Sequence, residues 1–165
     1  MRQSIIGLGL ALAMAALTGC GLVTSTNRSV FFVFDVSGTY VKAVPDAAKL
    51  ANITIADMQP GDWIGASQIS ACSFSEEEII LQRQLPTTPS MAASTKRELF
   101  DEFNAYASQV KSAKFTDIRG ALAQAAFELQ QRPEASRYIV LFSDMIDDIT
   151  RDAAAAFLAR SDTLA

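Results

Sequence analysis

Val30-Phe31-Phe32-Val33-Phe34 is an unbroken run of β-branched and aromatic residues. A strand with one wet face alternates apolar and polar positions, and this run does not. It fits a central strand of a parallel sheet, covered on both faces. Tyr138-Ile139-Val140-Leu141-Phe142 reads as a second buried strand far downstream. Between them, Ala43–Met58 carries Val44, Ala47, Ala48, Ile55 and Met58 at helical spacing, with Pro45 suited to a first turn. Pro60-Gly61 is a turn, and Asp62–Ser73 and Ile79–Leu85 read as strands. The acidic run Glu76-Glu77-Glu78 reads as a solvated edge.

Pro86–Ser90 reads as a loop. Thr95-Lys96-Arg97-Glu98 has the capping-box pattern and opens a helix whose stripe is Leu99, Phe103, Tyr106 and Val110. A further helix starts at Asp117, with Ile118, Leu122, Ala125, Ala126 and Leu129 inward, and ends at Arg132-Pro133. Thr150 caps a last helix, Arg151–Arg160. Strand, helix, two strands, two helices, strand, helix predicts an α/β fold with a mostly parallel sheet.

At 165 residues the chain is long enough for one domain with a real core. It has 14 basic and 18 acidic residues and no basic patch of the kind nucleic acid requires. It has no histidine, which removes Ser-His-Asp and Cys-His catalysis and every His-ligated metal site.

The N-terminus is read as a targeting segment. Arg2 precedes an apolar stretch, Ile5–Leu17, shorter than the roughly 20 residues of a membrane-spanning helix. Leu17-Thr18-Gly19-Cys20 resembles a bacterial lipobox, which implies a signal peptide over residues 1–19 and a lipidated Cys20 as the mature N-terminus. In such lipoproteins an Asp after the cysteine argues for inner-membrane retention. Gly21 therefore favours the outer membrane of a cell envelope that has one. Removing residues 1–19 takes away one basic residue, Arg2, and no acidic one. The tether from Gly21 to Arg28 reaches about 25 Å at about 3.3 Å per residue, which holds the domain near the membrane. Cys72 is then left without an intramolecular partner and reads as a buried, inert thiol.

Polar residues gather where the strands end. Asp35-Val36-Ser37-Gly38-Thr39 follows the first apolar run, Thr116 stands at the start of a helix, and Asp144 follows the last apolar run. In an open parallel sheet, ligands bind outside the carboxyl ends of the strands. Asp35, Ser37, Thr39, Thr116 and Asp144 offer only oxygen, which suits Mg²⁺ rather than zinc or copper. A tight bend at Gly38 is expected to turn residues 35, 37 and 39 inward together.

These residues resemble the metal-ion-dependent adhesion site of von Willebrand factor type A domains, Asp-x-Ser-x-Ser followed by a Thr and an Asp. The resemblance runs from about Ser29 to Asp148. Pro60-Gly61-Asp62-Trp63-Ile64-Gly65 and Thr116-Asp117-Ile118-Arg119-Gly120-Ala121-Leu122 are similar to the family's second-strand lead-in and helix start. The resemblance implies a Rossmann-like three-layer sandwich over residues 29–165, with strand order 3-2-1-4. It implies a binding module rather than an enzyme. Its Mg²⁺ or Mn²⁺ is held by Asp35, Ser37, Thr39, Thr116 and Asp144, and a protein partner's Glu or Asp completes the shell.

Thr39 stands where the family usually has Ser, which keeps the oxygen. Met145 follows Asp144 where the family often has Gly, so the loop is expected to differ. Asp147 and Asp148 read as solvated loop acids. The family sheet continues with two more strands, so the domain is expected to be C-terminally truncated, with Tyr138–Phe142 left as an edge.

Two alternatives stay open at this level. Phe34–Thr39 also resembles the nucleophile loop of haloacid dehalogenase-like phosphatases, with Asp35 as nucleophile, Asp144, Asp147 and Asp148 as acidic metal ligands, and Lys111 or Lys114 as the lysine. There the residue two positions on is an acid, here Ser37. The other alternative is an α/β domain whose Ser and Thr residues only cap helices.

Overall fold

A computed structural model describes residues 27–133 and 135–148. The strands are β1 (Arg28–Asp35), β2 (Trp63–Ile69), β3 (Ile79–Gln84) and β4 (Ser136–Phe142). The helices are α1 (Val44–Asp57), α2 (Pro89–Gln109) and α3 (Ile118–Gln130). They form an open sheet in the order β3-β2-β1-β4, as the resemblance implies, with β1 parallel to both neighbours and β3 antiparallel to β2.

The continuous apolar run of β1 serves two cores, because successive side chains of a strand point to opposite faces. Phe32 and Phe34 pack with Ala51, Ile55, Leu99 and Phe103 on the α1–α2 face. Phe31 and Val33 pack with Trp63, Ile118, Ala121 and Ala125 on the α3 face. The layering is therefore helix, sheet, helix.

Several local expectations change. The second helix starts at Pro89, not at Thr95, with Thr88 before it. Thr95 and Glu98 lie inside that helix, where the backbone N–H groups a capping box would take already have partners. β2 stops at Ile69 rather than Ser73, because the next serines bond the backbone themselves. Ser73 Oγ accepts from Ser70 N at 2.8 Å and donates to Ser70 O at 3.1 Å. Cys72 falls in this turn and is exposed, which corrects its reading as a buried thiol.

Glu78 is not a solvated acid either: its carboxylate accepts from Gln68 Nε2 at 2.9 Å and Ser70 Oγ at 2.7 Å. β4 is less covered than a central strand, with Tyr138 50% and Ile139 39% exposed, as suits its place at the end of the sheet. The signal segment, Cys20, most of the tether and the expected helix Arg151–Arg160 lie outside the described residues. Among the described residues no helix is long and apolar enough to cross a membrane.

Candidate metal centre

β1 ends on Asp35, whose residue is fully buried. Its carboxylate is held on both oxygens. Oδ1 accepts from Ser37 N at 2.8 Å, the local turn that short acidic side chains favour. Oδ2 accepts from Ser143 Oγ at 2.7 Å, across the β1–β4 pair. The chain then turns through Ser37, whose carbonyl accepts from Tyr40 N and Val41 N, and enters α1 with Pro45 in its first turn.

Two further hydrogen bonds follow, one within this loop and one from it to Asp144, beyond β4. Ser37 Oγ lies 3.1 Å from Thr39 Oγ1, and Thr39 Oγ1 donates to Asp144 Oδ2 at 2.7 Å. Asp144 Oδ1 accepts from Ile146 N at 3.1 Å. Asp35, Ser37, Thr39 and Asp144 are thus linked through the ends of two adjacent parallel strands.

Thr116 is different. It is buried, and its backbone exchanges two hydrogen bonds with Asp148. Its segment is tied to the first loop where Ala113 N donates to Val36 O at 2.8 Å. Its hydroxyl makes no hydrogen bond to the other four among the described residues.

Ser143 is the member that sequence reading missed. The signal was available in the register: Phe34 pairs with Phe142, so the next residues on the two strands, Asp35 and Ser143, come side by side. Gly38 lies in the turn that Tyr40 N closes on Ser37 O, as the sequence suggested, but its φ is not positive and a Cβ there would meet only Ser112 Oγ at 3.5 Å, an ordinary contact. The unusual backbone is at Met145, with φ 64°. The left-handed conformation that glycine tolerates is kept there by a methionine. Ser143 Oγ accepts from Met145 N at 2.9 Å, which helps hold it.

Asp147 is an exposed loop acid, as expected, but its carboxylate is engaged. Its Oδ1 accepts from Ile118 N at 3.0 Å and its Oδ2 pairs with Arg119 at 3.1 Å, at the start of α3. Asp117, the N-cap of that helix, is buried. It accepts from Gly120 N at 2.9 Å and from Ser73 N at 3.3 Å. A Cβ on Gly120 would come within 2.8 Å of the Asp117 Cγ. Gly120→Ala is therefore expected to lower unfolding stability by about 2 kcal/mol, the worth of a lost cap with a buried charged acceptor. Helix propensity alone predicts a gain of about 1 kcal/mol, so the sign in a urea titration decides between them.

Burial, and then the negative charges of Asp35 and Asp144, push the pKa of the Tyr40 hydroxyl up. The centre is therefore electronegative and keeps Tyr40 protonated. Lys111 and Lys114 form no ion pair with Asp35 or Asp144 among the described residues. The Lys114 ammonium instead lies 5.2 Å from the centre of the Phe115 ring.

Among the described residues no three His, Cys, Asp or Glu side chains gather into a metal-binding group. A cation here would rest on two carboxylates together with hydroxyls. That donor set is all oxygen and already converges through short hydrogen bonds, so it fits a hard divalent ion.

No family model and no curated protein matches the chain. Solved structures do match. One is von Willebrand factor type A from Catenulispora acidiphila, at 16% identity and TM-score 0.51, over 82% of this chain and 31% of that one. Another is the manganese-loaded Plasmodium vivax TRAP protein, at 14% identity and TM-score 0.53, over 84% of this chain and 54% of that one. The chain thus spans about a third of the first and about half of the second. The shared property is the fold.

Proposed function

We propose that this chain, which has the von Willebrand factor type A fold, is a divalent-metal-dependent protein-binding module of the bacterial envelope. The observation that carries the reading is the hydrogen-bonded series Ser37, Thr39, Asp144, beside a buried Asp35, at the ends of β1 and β4. Asp35, Ser37, Thr39, Thr116 and Asp144 would hold Mg²⁺ or Mn²⁺, and the manganese carried by one structural neighbour supports that choice. The ion, when bound, supplies positive charge for a Glu or Asp of a protein partner.

The chain's own part is positioning. Ser37 N and Ser143 Oγ fix both oxygens of Asp35. Thr39 orients Asp144. The chain has no histidine, and no lysine is hydrogen-bonded to Ser37 among the described residues, which favours binding over catalysis. The lipobox-like Leu17-Thr18-Gly19-Cys20 supports a lipid anchor at Cys20, which would present the centre outside the cytoplasm with its partner.

Calorimetric titration with MnCl₂ and MgCl₂ tests the reading. One site is expected, weakened in Asp35→Ala and in Asp144→Ala by at least about tenfold, or about 1.4 kcal/mol. Binding that survives Asp35→Ala in folded protein, or no binding to the wild type, would overturn it.

A further inference from the structure

The loop after β4 carries two large apolar side chains into solvent. Met145 is 64% and Ile146 60% exposed. Single exposed apolar residues are ordinary on a protein surface, but these two are adjacent and their loop is pinned. Met145 N donates to Ser143 Oγ at 2.9 Å, and that hydroxyl donates to Asp35 Oδ2 at 2.7 Å. Ile146 N donates to Asp144 Oδ1 at 3.1 Å. Just beyond, Asp147 is bonded to the start of α3 and the Asp148 backbone to Thr116. Both apolar residues are thus tied through their backbone N–H groups to the acids of the candidate metal centre, Ile146 directly and Met145 through Ser143.

The backbone at Met145 sharpens the point. At φ 64° a residue other than glycine is strained, and such strain concentrates at functional sites. The hydrogen bonds that hold the loop use only the N–H groups of Met145 and Ile146, so they do not account for two long apolar side chains at the rim of a polar centre. A flexible thioether suits contact with apolar groups of varied shape. The place in the fold is informative too. Arg28, where the proposed lipid tether joins the domain, is at the other end of β1, about 23 Å away at about 3.3 Å per residue. The rim therefore lies at the end of the sheet opposite the anchored one, where a protein partner rather than the membrane would meet it.

We infer that Met145 and Ile146 form an apolar rim that selects the partner: a protein segment whose metal-reaching Glu or Asp has a large apolar residue, Leu, Ile, Phe or Met, within two positions of it. The inference rests on the metal-dependent binding proposed above. An acid that completes the metal shell brings its neighbours within a side chain's length of Met145 and Ile146, whose backbones adjoin the same carboxylates. An apolar neighbour buries both side chains on binding, whereas a charged one leaves them in water, so the rim discriminates among acidic segments.

The test is a selection of peptides with one central Glu and random flanks on the full chain in lipid nanodiscs, with saturating MnCl₂ and with EDTA. Peptides enriched only with MnCl₂ are expected to carry Leu, Ile, Phe or Met within two positions of the Glu. By fluorescence anisotropy the best of them should bind the double variant Met145→Gly, Ile146→Ser at least about tenfold more weakly than wild type. Calorimetry should find the same Mn²⁺ affinity in both proteins. No Mn²⁺ binding by wild type would remove the metal reading and the rim with it. If wild type binds Mn²⁺, the rim alone is overturned by any of three results: no peptide enriched by MnCl₂, enriched peptides without an apolar flank, or equal peptide affinity in the two proteins. Weaker Mn²⁺ binding by the variant would also overturn it, since the pair would then support the ion rather than contact a partner. If the double variant does not fold, Met145→Gly alone decides by the same measurements, because glycine takes φ 64° without strain.

Discussion

Phe32→Ala is expected to lower the unfolding free energy by about 3–5 kcal/mol. Phe32 is fully buried at the middle of the central strand. Its ring lies 6.4 Å from Phe34, 5.9 Å edge-on from Phe103 and 6.4 Å from Phe142. Those partners come from the same strand, from α2 and from β4, so none can move in to fill the space without disturbing its own element. A domain is stable by only about 5–15 kcal/mol, so the variant should be close to unfolded at 37 °C. Urea denaturation of wild type and variant reads the loss. Tyr138→Ala, at a half-exposed position on β4, serves as the contrast and should cost well under half as much. A loss below about 1 kcal/mol for Phe32→Ala would mean that the β1 core is not packed as described.

The second large effect is expected at Asp62, a buried acid at the opposite end of the strands from the candidate metal centre. Asp62 is 2% exposed. Its Oδ1 accepts from Arg28 N at 2.8 Å, and its Oδ2 accepts from Gln59 N at 2.7 Å and Arg28 Nε at 3.0 Å. One side chain thereby ties the start of β1 to the turn between α1 and β2. The Arg28 side chain is 30% exposed and can turn to water, so its share of the loss is small. The two backbone N–H groups are a different matter, since each part-buried donor left without an acceptor costs about 1–3 kcal/mol. Asp62→Ala is therefore expected to cost about 3 kcal/mol, and Asp62→Asn clearly less because one acceptor oxygen remains. Equal losses in urea for the two variants would contradict the hydrogen-bond account.

β1 was legible because an apolar run on both faces has few places to go in a sheet, and the strand order came with the family resemblance. The start of α2 was not. Its first two turns carry Ser90, Met91, Ala93 and Ser94, mostly exposed, so the amphipathic stripe becomes visible only at Leu99. Thr95 and Glu98 then imitate a start that Thr88 and Pro89 had already made. Cys72 was misread for a related reason: an apolar-looking run does not reveal that the Ser73 side chain will bond both backbone groups of Ser70 and end the strand.

At the candidate metal centre, Asp35, Ser37, Thr39 and Asp144 could be found from where strands end, because a parallel sheet collects those ends. Ser143 required the register, which two apolar runs do not specify on their own. Asp117 reads as a helix start and Asp147 as a loop acid in the sequence. Their roles depend on which backbone N–H groups the fold leaves open at the start of α3.

The pairing of β1 with β4 sets an order of events as well as a shape. Ser143 and Asp35, which meet at the end of that pair, are 108 residues apart in sequence. A chain emerging from its N-terminus exposes Phe31–Phe34 long before Ser136–Phe142 exist to flank them. Closing so long a loop is slow compared with forming the helices between. The central strand is therefore the first written and among the last enclosed. The growing chain therefore carries this apolar strand with one edge open until β4 is made, the condition under which holding chaperones matter.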